Sequence, residues 1–322
     1  MVASVKRLAA LSPFAVLALS LAACGDSQAP GVDAGPDSAT PVDAADAAQT
    51  PDAEQALDAG DAGVSKRSAG CGLAPETALG TYVKQDIVVP GVAAKYAATY
   101  TNRIYWLRVP NGYDPDRAYP TVFLGPGCGG SGQTPIPLQA ASMDDAILVG
   151  LNGIDNCFNK DAADTPELAY FDATLAAIEN DLCVDTSRVF VAGFSSGSWL
   201  TSYLGCVRAG VIRGQASVAG GLPPIPPTCA GPIAAMYVAD TDDTKNTVDT
   251  VKLAVDRARM IDGCSDETEP YDFGVTSPCV QYKGCKAGYP VVWCVTSGVG
   301  HADNSSTKIS TNGFWHFWQS LP

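Results

Sequence analysis

Short β-rich segments alternate with helical patterns from about residue 70 onward, and this alternation limits the possible fold more than any other feature of the sequence. Helices that connect successive strands are typical of parallel sheets built with right-handed crossovers. The pattern predicts a single domain with one mostly parallel α/β sheet and helices on both faces. The first strands, which the Asn111-Gly112 turn helps to connect, are expected to form an antiparallel edge. The predicted strands cover residues 87–89, 103–109, 121–124, 146–151, 188–192, 215–218, 233–238 and 291–295.

Two helices are predicted between the later strands, at residues 165–182 and 247–261. The first opens with Thr165 as a capping residue and Pro166 at the first helical position. Both helices carry apolar residues at the spacing of a buried face. These residues are Leu168, Phe171, Leu175 and Ile178 in the first helix, and Val248, Val251, Val255 and Met260 in the second.

The N-terminus has the pattern of a bacterial lipoprotein signal. Lys6 and Arg7 precede an interrupted apolar stretch at residues 8–22, and Leu21-Ala22-Ala23-Cys24-Gly25 follows. The apolar stretch is short for a membrane span, whereas a cysteine at the cleavage point can be lipidated. We therefore predict a signal peptide at residues 1–23 and lipidation of Cys24. The alternative is an ordinary secretion signal in which Cys24 has no role.

Residues 24–69 have the composition of a disordered linker. Ala, Asp, Pro and Gly dominate this stretch, and no aromatic residue occurs between Phe14 and Tyr82. Such a segment cannot form an apolar core, and its acidic residues repel one another. The expected organisation is a signal peptide, a linker at 24–69 and a folded domain at 70–322.

Charge and cysteine content restrict the partners and the compartment. The 20 basic and 34 acidic residues give a formal charge of −14, which argues against binding to nucleic acid. The chain has 11 cysteines, and an even number remains once Cys24 is assigned to the lipid. Their spacing fits no metal site, so we expect disulfides that use all the remaining cysteines, in an exported protein. Their pairing cannot be read from the sequence.

A GxSxG motif, Gly193-Phe194-Ser195-Ser196-Gly197, lies between a predicted strand and a helical pattern that contains Trp199 and Leu200. A nucleophile at such a strand-to-helix turn needs small neighbours, because its backbone is strained and the strand and helix pass close by. The pentapeptide alone is weak evidence, but this context predicts that Ser195 is a nucleophile.

The sequence contains only two candidate bases, His301 and His316. His316 lies in an aromatic terminal helix, where a packing or surface role is expected. His301 follows the strand at 291–295 in a glycine-rich loop and can reach across the strand ends, so we expect it to be the base. In hydrolases with this chain order an acid follows an intervening strand, and Asp240, Asp242 and Asp243 are all candidates.

Several segments between residues 102 and 321 together resemble the feruloyl esterases and the related polyhydroxybutyrate depolymerase-like esterases of carbohydrate esterase family one. The segments include Gly127-Cys128-Gly129-Gly130, Asp155-Asn156-Cys157, Cys183-Val184-Asp185, residues 188–197, Asp256-Arg257, Asp262-Gly263-Cys264, residues 282–295 and Gly300-His301.

The resemblance implies an α/β-hydrolase fold with Ser195 as nucleophile, His301 as general base and Asp243 as the acid. It also implies an oxyanion hole made by the backbone amides of Ser196 and of Cys128 or Gly129. Relatives usually have His where this chain has Pro126, which places the geometry of that loop in question.

The expected function is hydrolysis of feruloyl or acetyl esters of plant cell-wall xylan, through an acyl-enzyme and without a metal or organic cofactor. One alternative is a depolymerase of short polyhydroxyalkanoates. The other is a non-catalytic surface lipoprotein that binds glycans with the same fold. We expect a monomer that contacts its polysaccharide substrate and, through the lipid on Cys24, a membrane.

Overall fold

The computed structural model describes residues 66–133, 137–158, 166–222, 228–274 and 277–322. The strands of this part of the chain are β1 (Val83–Val88), β2 (Asn102–Arg108), β3 (Tyr119–Gly125), β4 (Ile147–Leu151), β5 (Val184–Phe194), β6 (Gly214–Val218), β7 (Ala234–Asp240), β8 (Thr268–Pro270), β9 (Cys279–Tyr282) and β10 (Val291–Thr296). The α-helices are α1 (Ala94–Tyr100), α2 (Gln139–Ser142), α3 (Glu167–Asp181), α4 (Ser196–Val207), α5 (Val248–Asp262) and α6 (Phe314–Gln319).

These strands form one sheet in the order β1-β2-β4-β3-β5-β6-β7-β10-β9-β8. The six central strands, from β4 to β10 in that order, are parallel. Strands β1 and β2 pair antiparallel at one edge, and β2 is antiparallel to β4. The predicted α/β class and the antiparallel first edge are therefore confirmed.

Every residue of β3, β4, β6 and β7 is buried, so both faces of the central sheet are covered. Continuous apolar strands of this kind are typical of parallel sheets buried on two sides. Helix α3 contributes Phe171, Leu175 and Ile178 to the core on one face, as the sequence pattern predicts. Helix α6 contributes Phe317 and Trp318 to a second core cluster.

Helix α5 differs from its prediction at one position. Val251 and Val255 are buried, but Met260 is 75% exposed, and Ala258 and Asp262 occupy the buried face near the end of the helix. The helix begins after Thr247, whose side chain accepts a hydrogen bond from the Thr250 amide. For helix α3, the predicted cap Thr165 lies outside the described residues, and the helix starts just after Pro166.

A second antiparallel edge, β9 with β8, was not predicted. The two strands have only four and three residues, so they carry too little periodicity to be recognised. Cys279 of β9 is directly opposite Cys294 of β10, and a disulfide joins them. The disulfide therefore joins this edge of the sheet to the parallel strand β10.

Ten cysteines form five disulfides in the described part of the chain, as predicted. The pairs are Cys71–Cys183, Cys128–Cys157, Cys206–Cys229, Cys264–Cys285 and Cys279–Cys294. Such use of cysteine is typical of exported proteins. No α-helix of the described ranges is long and apolar enough to cross a membrane.

Residues just before position 70, where the predicted domain starts, contact β5. Arg67 forms a β-bridge with Asp185, and the Ser68 amide donates to the Val184 carbonyl over 3.0 Å. Residues 66–68 are therefore paired with β5. The predicted signal peptide, Cys24 and the linker as far as residue 65 lie outside the described residues.

Candidate active site

Ser195 lies at the turn between β5 and α4, at the carboxyl end of the central strands. Its φ of 52° and ψ of −114° are unusual for a residue with a side chain. The Ser195 amide donates to the Val218 carbonyl of β6 over 3.0 Å, which helps to hold the turn in this conformation. Strained backbone of this kind is common at functional sites and presents the hydroxyl above the sheet.

The motif glycines permit this turn because the backbones on either side of it are in contact. A Cβ atom on Gly193 would lie 2.1 Å from the Gly197 carbonyl oxygen. One on Gly197 would lie 1.9 Å from the Gly125 carbonyl oxygen of β3. No side chain fits at either position without moving a strand or the helix, so the GxSxG pattern has a steric cause here.

His301 lies in the loop after β10, and its ring lies between Ser195 and Asp243. Nε2 is 3.0 Å from Oγ of Ser195, and Nδ1 is 2.8 Å from Oδ2 of Asp243. With the proton on Nδ1, the imidazole donates to Asp243 and leaves Nε2 free to accept from the serine hydroxyl. The Phe194 ring packs against the imidazole with 5.1 Å between the ring centroids.

Asp243 is positioned by the loop that follows β7. Its side chain is fully buried, and Oδ1 accepts hydrogen bonds from the amides of Lys245 at 2.8 Å and Asn246 at 2.9 Å. These two bonds leave Oδ2 directed at His301. A buried carboxylate in this position can hold the imidazole in one tautomer and stabilise the imidazolium.

The other acid and base candidates have different partners. Asp240 accepts hydrogen bonds from Thr296 and from backbone amides, including that of Gly300. Asp242 accepts from the Gly298 amide at 2.7 Å, in an exposed position. His316 is exposed on α6, and its ring centroid lies 6.1 Å from that of Tyr271.

Comparison with known proteins shows which enzymes the chain is similar to. No protein-family model matches the chain. Feruloyl esterase D of Neurospora crassa is 29% identical over 255 residues, which cover 72% of this chain and 81% of the relative. Feruloyl esterase C of Emericella nidulans is 28% identical over 237 residues, covering 68% of this chain and 84% of the relative.

The chain is therefore similar to feruloyl esterases over about 70% of its length.

Solved structures support the fold. A family-one ferulic acid esterase from Anaeromyces mucronatus, in complex with ferulic acid, aligns with a TM-score of 0.51 and 16% identity, over 75% of this chain and 90% of that one. An acetyl xylan esterase from Aspergillus awamori aligns with a TM-score of 0.52 and 13% identity, over 72% and 99% of the two chains. The fold is that of an α/β-hydrolase.

The two predicted oxyanion donors in the loop after β3 differ in whether their backbone amides already have an acceptor. The Gly129 amide donates to the Asn156 carbonyl over 2.7 Å, so it is already occupied. The Cys128 amide has no backbone acceptor among the residues that the structure describes. Ser196 is the first residue of α4, where an amide lacks an acceptor within the helix. The geometry therefore favours Cys128 over Gly129 as the partner of Ser196.

The loop that carries Cys128 is fastened to the segment after β4. The Cys128–Cys157 disulfide joins the two, and the Gly132 amide donates to Oδ1 of Asn152 over 2.8 Å. On the other side, the Pro126 carbonyl accepts from the Ser196 hydroxyl at 3.3 Å. These contacts hold the loop, with Pro126 at its start, against the serine turn.

The supporting roles of Asn152 and Cys157 were not predicted from the sequence. Asn156-Cys157 belongs to the segments that carry the family resemblance, which was the available signal. Its pairing with Cys128 could not be read from spacing, because ten cysteines permit many combinations.

Proposed function

We propose that the chain hydrolyses feruloyl esters of plant cell-wall xylan, with Ser195 as nucleophile, His301 as general base and Asp243 as its orienting acid. The observation that carries the proposal is the continuous series of hydrogen-bonding distances, 3.0 Å from Ser195 to His301 and 2.8 Å from His301 to Asp243. A nucleophile, its base and an orienting group within hydrogen-bond reach are what acyl transfer requires.

The reaction proceeds in two halves. Ser195 Oγ attacks the ester carbonyl carbon while His301 Nε2 takes the hydroxyl proton, and the amides of Ser196 and Cys128 bind the oxyanion. The alcohol leaves with the proton from His301, and the acyl group stays on Ser195. Water then attacks the acyl-enzyme with His301 again as base, which releases the acid and restores the serine.

The relatives support the substrate class. Feruloyl esterase D of Neurospora crassa and feruloyl esterase C of Emericella nidulans each match about 70% of the chain. Acetyl esters of the same polysaccharide are the nearest related substrates. The loop that carries Cys128 is held beside the serine turn by the Cys128–Cys157 disulfide and by the Ser196 hydroxyl on the Pro126 carbonyl. This supports catalysis over a purely glycan-binding role, because an oxyanion hole needs donors that are fixed in place.

Three esters tested side by side distinguish the readings: methyl ferulate, p-nitrophenyl acetate and a 3-hydroxybutyrate oligomer. We expect the wild type to turn over methyl ferulate with the highest kcat/KM, and Ser195→Ala to be inactive on all three. Asp243→Asn should lower kcat by about 10³- to 10⁴-fold, because the imidazole loses the carboxylate that selects its tautomer. Preference for the hydroxybutyrate oligomer would indicate the depolymerase, and glycan binding without any turnover would refute the enzyme proposal.

Labelling by a fluorophosphonate probe tests the nucleophile before any natural substrate is known. The expected result is one adduct at Ser195, found by peptide mass spectrometry and absent in Ser195→Ala. Labelling at another residue, or none, would contradict the proposed assignment.

We also propose that the chain is exported and anchored through a lipid on Cys24, with residues 24–65 as a spacer. The signal-like N-terminus and the five disulfides support export. Expressed with its signal in a bacterial host, the wild type should partition with membranes and carry the mass of a diacylglyceryl-modified cysteine. Cys24→Ala should lack that mass, and an unmodified mature wild type would refute the anchor.

A further inference from the structure

A second buried carboxylate, that of Asp240, lies close to the candidate site without being part of the serine–histidine–aspartate series. Asp240 is the last residue of β7 and is only 2% exposed. We propose that Asp240 is a positioning residue that holds the His301 loop by its backbone and thereby sets the direction of the imidazole. The proposal rests on the proposed esterase function and extends it to the residue that places the base.

The hydrogen bonds of Asp240 connect two loops. Oδ1 accepts from the amides of Gly300 and Asp242, each at 2.9 Å. Oδ2 accepts from the Thr296 hydroxyl at 2.7 Å and from the Val299 amide at 3.2 Å. One carboxylate thus binds the end of β10, the two residues before His301 and the loop that carries Asp243.

The His301 loop needs such a partner because it has no regular structure of its own. Gly298 and Gly300 both have positive φ, at 78° and 68°, which lies outside the conformation of a strand. A backbone amide without an acceptor is costly when it is shielded from water. Asp240 provides acceptors for the two amides directly before His301, and without them this backbone would relax to other conformations.

The residues after His301 are attached to the same cluster. Asn304 is 1% exposed, and its Nδ2 donates to Oγ1 of Thr296 over 3.0 Å. Thr296 in turn donates to Asp240. Both flanks of His301 are therefore held by one buried network, while the imidazole itself is held by Asp243.

The carboxylate of Asp240 is ionised in this setting. Burial alone raises its pKa, but the hydrogen bonds from Thr296 and from the amides of Asp242, Gly300 and Val299 outweigh burial and hold the pKa below its usual value. Hydrogen bonds to an anionic acceptor are stronger than those to a neutral one. Charge-assisted bonds therefore fix the loop while Asp240 is ionised.

Kinetics of Asp240→Ala and Asp240→Asn test the proposal, with p-nitrophenyl acetate as substrate and rates divided by the number of sites that a fluorophosphonate titrates to completion. Asp240→Ala should lower kcat per titrated site by about 10- to 100-fold and leave KM within about threefold, because a small displacement of the base affects the chemical step most. Asp240→Asn keeps an acceptor for the Gly300 amide, so it should retain more activity than the alanine variant. The acidic limb of the kcat/KM profile should move to lower pH in both variants, because a negative charge near the imidazolium is lost.

Two further variants separate positioning from general loss of stability. Asp185→Asn removes another buried carboxylate, which accepts from Ser187 at the opposite end of β5, and should leave kcat per titrated site and the pH limb unchanged. Thr296→Val removes one donor to Asp240 and should lower kcat in the same direction but less than Asp240→Ala.

The outcomes distinguish this proposal from the proposed function. An active wild type with unchanged kcat per titrated site and an unchanged pH limb in Asp240→Ala would overturn the positioning role alone. If Asp240→Ala gives too little folded protein, an unchanged kcat in Thr296→Val together with an unchanged kcat and pH limb in Asp240→Asn would overturn it equally. A wild type without turnover or labelling would instead refute the esterase function.

Discussion

Asp262, at the end of α5, should make the stability of this protein decrease as pH rises. The residue is fully buried; Oδ1 accepts from the Ile233 amide at 3.1 Å, and Oδ2 has no hydrogen-bond partner among the described residues. Asp262 lines a cavity of about 20 Å³ together with Gln215 and Tyr237. Burial raises the pKa of Asp262 to about 7, and the Ile233 amide and the Lys286 charge offset this only in part.

The sign and size of the effect follow from linkage. The folded state binds a proton at Asp262 more tightly than the unfolded chain, in which an aspartate has a pKa of about 3.9. Proton binding at Asp262 therefore makes its full contribution to the free energy of unfolding below about pH 4. That contribution is lost as the pH rises to about 7. At 1.36 kcal/mol per pKa unit, the loss between pH 5 and pH 8 is about 3 kcal/mol.

Asp262→Asn tests this calculation because asparagine has the shape of the protonated acid and carries no charge at any pH. Urea unfolding with the disulfides intact should give similar free energies of unfolding for the variant and the wild type at pH 5. At pH 8 the variant should be more stable by about 3 kcal/mol. The difference between the two proteins cancels the pH dependence of every other group.

Tyr237→Phe is the matched control. It removes another buried polar group from the same cavity, and burial raises the pKa of Tyr237, so the phenol stays neutral at both pH values. Its effect on the free energy of unfolding should be the same at pH 5 and pH 8. Parallel pH dependence of Asp262→Asn and the wild type would refute the assignment of the titration to Asp262.

Two further predictions concern the serine turn and its neighbouring loop. Gly197→Ala should lower the free energy of unfolding, measured by thermal unfolding, by about 3 kcal/mol, because the new Cβ would lie 1.9 Å from the Gly125 carbonyl oxygen. Gly210→Ala should lower it far less, because no atom lies within 4 Å of its Cβ. Equal costs would contradict the steric argument. Replacing both cysteines of the Cys128–Cys157 disulfide by serine should lower kcat about tenfold through the oxyanion amide. The same change at Cys264–Cys285 should leave kcat intact, and equal losses of kcat would show that Cys128–Cys157 acts only through stability.

Much of the architecture follows from local patterns that survive in the folded state. Apolar runs such as residues 121–124 and 146–151 became central strands because strands buried on both sides need no alternation. The GxSxG motif marked the turn at Ser195, and a chain with two histidines left little choice of base. Strands β8 and β9 escaped recognition because they are too short to show periodicity.

Long-range contacts decided what local pattern could not. Asp240, Asp242 and Asp243 are alike in sequence, but only the folded chain turns Asp243 towards His301 and Asp240 towards the amides of Gly300 and Val299. Cys128 and Gly129 are equal candidates for the oxyanion hole in the sequence, but in the folded chain the Gly129 amide donates to the Asn156 carbonyl.

The sequence by itself therefore determined the central strands, the long helices and the residue types available for chemistry, because these depend on composition and spacing along the chain. Only the tertiary structure decided which of several identical groups receives which partner. A hydrogen bond depends on distances of about 3 Å between atoms that are tens of residues apart in the chain, and spacing in a sequence does not encode such distances.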